Sequence, residues 1–182
     1  MGFLKSFFYA FRGIVDCVCN QRNLRIHTVF SIYILYFSRF YKLSVESMCV
    51  LWLLIAVVLA LELMNTAVEK ACDSVTREQS DMIKVAKDAA AGAVLVAATV
   101  SVIIGFYMFF DIKILKRIVS FLCSTPEYLA IFILSMLFST LFIVIGPNGL
   151  VRSFREAVVL NTPLENEEIG EGSLKKKPKG KK

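Results

Sequence analysis

The chain has 182 residues, 57% of them hydrophobic and 20% charged, with a formal net charge of +6 and a mean hydropathy of +0.65. That balance excludes a water-soluble domain and points to an all-α integral membrane protein. A single histidine also excludes zinc sites built on several histidines and lipid phosphatases that work through a phosphohistidine.

Residues 2–19 place Phe3, Phe7, Phe11 and Ile14 three or four apart, with Val15 and Val18 continuing the stripe and Lys5, Arg12 and Asp16 mostly off it. This pattern predicts an amphipathic helix over 1–22 lying in the membrane interface. An ordinary packing helix is the plainer alternative, and both can hold at once. Tyr9 and Arg12 fall on its less apolar side, where they could meet a polar ligand. No cleavable signal peptide is expected, since only Lys5 precedes Phe7 and Phe8 and no small-residue cleavage site follows. Asn20 to His27 joins this helix to the first membrane segment. His27 at such a boundary reads as a packed or interfacial residue rather than a metal ligand.

Apolar runs follow at about 26–41, 45–68, 89–110 and 127–147. The first is short and interrupted by Arg39, so it is the weakest span. If all four cross, sixteen of the 21 Lys and Arg residues fall on one side, together with both termini and the loop at 70–88. By the positive-inside rule that side is the cytoplasm. Five cysteines without paired spacing read as small apolar residues in a reducing context.

The second run ends in Leu61-Glu62-Leu63-Met64-Asn65-Thr66-Ala67-Val68-Glu69-Lys70-Ala71-Cys72-Asp73. At about 100° per residue, Glu62, Asn65, Glu69 and Asp73 share a stripe roughly 80° wide, with Thr66 at its edge. An unpaired carboxylate at the depth of Glu62 costs a few kcal/mol. Acids spaced i,i+4 repel unless something positive lies between them. The stripe therefore points to a bound cation. A polar seam between helices, or a soluble loop beginning at Glu62, is the plainer reading, although such seams are usually built from Ser, Thr, Asn or Gln.

The hydrophilic segment 73–88 leads into the third run at Lys87-Asp88, close to the Glu69–Asp73 end of the stripe; a boundary ion pair is the simple alternative there. Ala89-Ala90-Ala91-Gly92-Ala93 then permits close helix approach. Residues 23–111 thus form a membrane core. Beyond it, 112–149 reads as the rest of a short basic loop (111–126) and an extra membrane helix closed at Gly146-Pro147-Asn148-Gly149. Residues 150–182 form a cytoplasmic tail, disordered from Asn161 and carrying six lysines near its end. Attraction to anionic lipid, or simple solubilisation, suits that tail better than nucleic acid binding. No G-x-x-x-x-G-K-[ST], G-x-G-x-x-G or kinase catalytic loop is present. Any phosphate binding has to come from carboxylate-held metal and a lysine.

Glu62-Leu63-Met64-Asn65-Thr66-Ala67-Val68-Glu69, Asp73 and Ala86-Lys87-Asp88 together resemble the small bacterial integral-membrane lipid kinases, prokaryotic diacylglycerol kinase and its Gram-positive relative undecaprenol kinase. Arg22-Asn23-Leu24-Arg25-Ile26-His27 resembles the Gram-positive branch. The resemblance covers roughly residues 5–110. It implies a homotrimer in which each subunit has an amphipathic surface helix and a three-helix membrane core; this chain adds a fourth membrane helix. It also implies phosphorylation of a lipid alcohol by ATP and Mg2+ at the cytoplasmic interface, with undecaprenol favoured over diacylglycerol.

By the same resemblance Glu62 is the general base and Glu69 holds magnesium, while Tyr9, Asn65, Asp73, Glu78, Lys87 and Asp88 line the nucleotide. The family's other magnesium-binding position carries Gln21 here, an amide that supplies an oxygen but no charge. A kinase-derived membrane protein without catalysis is the reading this substitution motivates. A small transporter would explain intramembrane acids as a proton path, but no repeat-related broken helices are seen and the Ala-Lys-Asp motif is left without a purpose.

Overall fold

The computed structural model describes residues 2–75 and 80–161, the last eight by backbone only. The described residues form six helices and no strand: α1 (Phe3–Asn20), α2 (Arg22–Ser38), α3 (Val45–Val75), α4 (Asp81–Phe109), α5 (Ile112–Leu122) and α6 (Pro126–Asn161).

α1 carries the expected apolar stripe. None of its residues is buried, so Phe3, Phe7, Phe11 and Ile14 face outward, as a helix lying in a bilayer surface requires. It ends at Gln21, whose extended backbone (φ −106°, ψ 115°) separates α1 from α2.

Three of the described helices are long and apolar enough to cross a membrane: α3, α4 and Pro126–Ser153 of α6. α2 has 17 residues, about 25 Å of helix, and is short for a span by itself. It nevertheless runs antiparallel to α6 along almost its whole length. Arg25 meets Ile143, the Tyr33 hydroxyl meets Ser135 and Ser139, and Phe37 packs edge-on against Phe132. α2 thus lies alongside a helix long and apolar enough to span. Arg39, which interrupts the apolar run, comes just after the end of α2, in the turn to α3.

The most extensive pairing is α3 on α4. The buried residues of α3 are Leu51, Val58, Glu62, Asn65 and Thr66. Their spacing puts them all on one face roughly 100° wide. The apolar packing face of α3 thus becomes the acid stripe without a change of direction. Most of the remaining bundle surface is apolar and exposed, as expected where hydrocarbon is the solvent.

Two expectations for the C-terminal part change. Residues 111–126 are not a loop: Asp111 accepts from the backbone N–H groups of Lys113 and Ile114 and so caps α5. Ile112, Leu115, Ile118 and Leu122 give α5 an apolar face, with Lys113, Lys116 and Arg117 on the other side. The extra membrane helix does not close at Pro147 either. It breaks at Gly146 (φ 75°) and resumes to Asn161, because Pro fits the first turn of the helical segment that follows. The disorder expected for the tail concerns residues that lie, from 162 onward, outside those described.

Candidate active site

Glu62 is 4% exposed and belongs to the inward face of α3. Its one ion-pair partner among the described residues is His27 from α2, with Nε2 3.4 Å from Oε1. A carboxylate removed from water needs such a partner. His27 is therefore more than a boundary residue: it touches the acid at the head of the stripe.

One turn along, Asn65 is buried, and its Nδ2 donates to Glu69 Oε1 at 3.1 Å. The remaining Asn65 oxygen, Oδ1, is buried with no hydrogen-bond partner. Folded proteins rarely leave such an atom unpaired. Glu69 is half-buried and lies within electrostatic reach of both Glu62 and Lys87. An unpaired amide oxygen near a carboxylate suits a hard cation, which takes one or two protein carboxylates and completes its shell from substrate phosphates. The residues present fit magnesium on that ground, although no three His, Cys, Asp or Glu side chains converge among the described residues.

At the end of the stripe Lys87 Nζ pairs with an Asp73 carboxylate oxygen across the α3–α4 contact. The packing of α3 on α4 thus brings together two of the expected nucleotide residues. Asp88 is exposed on α4, and Tyr9 is exposed on α1; neither makes a polar contact with the stripe among the described residues. Glu78 lies outside the described residues. Gln21 stands at the α1–α2 break, half-buried, with no side-chain bond to Glu69.

α1 is tied to α3 elsewhere. Lys70 Nζ lies 2.7 Å from Asp16 Oδ2, and this hydrogen bond holds the Asp16 carboxyl below its ordinary value of 3.8. Asp16 is thus engaged by lysine.

Two residues escape sequence reasoning. His27 carries no signal beyond its place in the Arg22–His27 pattern. Arg25 is buried, and it joins α1, α2 and α6 by donating to the carbonyls of Val18, Cys19 and Ile143. Backbone acceptors leave no trace in a sequence, so this junction cannot be read there.

The prokaryotic diacylglycerol kinase family matches residues 8–109. The chain is 40% identical over 107 residues to the undecaprenol kinase of Bacillus subtilis, covering 59% of this chain and 87% of that one. It is 41% identical over 103 residues to the diacylglycerol kinase of Synechocystis, covering 56% of this chain and 59% of that one. No solved structure matches. The match takes in α1 to α4 and leaves α5 and α6 outside it. With more than half its length matched, including the whole acid stripe and Lys87, the chain belongs to the prokaryotic diacylglycerol kinase family and is a membrane lipid kinase.

Proposed function

We propose that this protein transfers the γ-phosphoryl group of ATP to the hydroxyl of undecaprenol, with diacylglycerol as a second acceptor. The observation that carries the reading is Glu62, a buried carboxylate at the point where the packing face of α3 turns polar. Phosphoryl transfer asks for positioning, charge neutralisation and a base near the nucleophile, and for no covalent intermediate. Glu62 takes the proton from the lipid hydroxyl. Lys87, steadied by Asp73, offers its ammonium to the phosphates; Asn65, Asp88 and Glu78, the last outside the described residues, line the nucleotide, with Tyr9 on its base. Glu69 and Gln21 would hold magnesium, which would supply charge neutralisation to the phosphates.

The choice of undecaprenol rests on the Arg22–His27 pattern and on the relative from Bacillus subtilis, which this chain covers over 87% of its length. The same reading makes the protein a homotrimer, with both termini and the site on the cytoplasmic side, where ATP is found. The excess of Lys and Arg on that side supports the orientation.

A phosphate-transfer assay tests it, with purified protein in mixed micelles, labelled ATP, magnesium, and the two lipids offered separately. Label in undecaprenol, absent with Glu62→Gln, is the expected result. Label in diacylglycerol alone would overturn the acceptor. Gln21 favours a second reading, a kinase-derived protein without turnover, because the amide holds a cation without supplying charge. That reading requires no label in either lipid across a wide magnesium range from folded protein.

A further inference from the structure

We propose that α2 is the arm that positions Glu62, with His27 as the positioning residue and the Arg25 junction on α6 as its anchor. The inference rests on the reading of Glu62 as the base. It adds a role for two residues on α2 and for the helix outside the family match.

Two contacts carry it. His27 Nε2 lies 3.4 Å from Glu62 Oε1, at ion-pair range, and catalytic hydrogen bonds of this length often tighten when substrate arrives. An imidazole nitrogen facing a carboxylate carries the hydrogen. As that contact tightens, His27 donates to Oε1, fixes the plane of the carboxylate and leaves Oε2 as the oxygen that meets the lipid hydroxyl. Two residues earlier, Arg25 Nε and Nη2 donate to Ile143 O at 3.2 and 3.0 Å, while Nη1 donates to Cys19 O at 3.0 Å and Val18 O at 3.3 Å. On a helix the two side chains point about 160° apart, so α2 is gripped by α6 on one face and holds Glu62 with the other.

The acceptor of that grip lies in α6, beyond the family match. Ile143 O would normally bond the N–H four residues on, which is Pro147 and has none. Arg25 supplies the missing donor. A lysine offers one nitrogen and cannot reach three carbonyls in a planar fork.

The experiment measures kcat and the KM for ATP with undecaprenol as acceptor, in full-length wild type, His27→Leu, His27→Gln, Arg25→Met and the double variant His27→Leu/Arg25→Met. Thermal melting in detergent checks that each is folded. His27→Leu should lower kcat about 10- to 100-fold with the KM for ATP changed less than about twofold, the scale seen when an orienting partner is removed. His27→Gln keeps an N–H donor and should recover most of that loss. Arg25→Met should lower kcat as well, but add little in the His27→Leu background, because both act through one arm. If His27→Leu does not fold, His27→Asn, too short to reach Oε1, takes its place. Wild-type kcat in folded His27→Leu, equal losses in the Leu and Gln variants, or additive losses in the double variant would each overturn the proposal. Glu62→Gln run in parallel separates the two claims: if that variant keeps wild-type kcat, it is the base assignment that fails.

Discussion

The guanidinium of Arg25 donates two hydrogen bonds to the carbonyl of Ile143, a residue 118 positions away. That carbonyl is available because Pro147 cannot donate to it. Arg25 is 6% exposed, and its truncation strands Ile143 O along with the carbonyls of Val18 and Cys19. Each buried unpaired group costs about 1–3 kcal/mol. Arg25→Met should therefore destabilise the fold by about 3 kcal/mol or more, seen as a lower thermal midpoint in detergent. Pro147→Ala lets residue 147 donate, so the same Arg25 change should cost less in that background. Equal costs in both backgrounds would remove Pro147 from the explanation.

The acid stripe is legible in the sequence because helical periodicity needs only one segment: Glu62, Asn65, Glu69 and Asp73 fall together whatever surrounds them. The small residues at 89–93 do not set the approach of Lys87 to Asp73: Ala89, Ala91 and Ala93 are exposed and a side chain at Gly92 would meet nothing within 4 Å. The contacts of Arg25 and His27 are not legible, since they join α2 to residues from distant parts of the chain. α5 escapes for a different reason. Its charges suggest a basic loop, although the period of Ile112, Leu115, Ile118 and Leu122 is already present in the sequence.

Lys87 and Asp73 form a largely exposed ion pair, a kind that contributes little to stability. Lys87→Met should leave the thermal midpoint nearly unchanged. It should raise the KM for ATP about tenfold or more, the scale of one lost charge-assisted hydrogen bond. Direct nucleotide titration checks this, and unchanged affinity would remove Lys87 from the nucleotide site.

Asp16, held by Lys70 below its ordinary value of 3.8, gives a pH dependence with a definite sign. A depressed folded-state value stabilises above 3.8, and that contribution is lost as pH falls through the lower folded value. Any difference in thermal midpoint between wild type and Asp16→Asn should hold steady well above 3.8 and close as pH falls through the lower folded value. Melting curves across that range test it.

Gln21→Glu adds a carboxylate at the α1–α2 break. If Gln21 shares magnesium with Glu69, the half-saturating magnesium concentration should fall about tenfold, since a charged ligand replaces a neutral one. An unchanged magnesium dependence would place Gln21 outside the metal site.

The most direct measurement is the turnover of Glu62→Gln at saturating ATP and undecaprenol, alongside its affinity for ATP. A general base contributes about 10²- to 10⁴-fold. The account predicts a loss of kcat on that scale with nucleotide affinity retained. A folded Glu62→Gln enzyme turning over within a few-fold of wild type would contradict it.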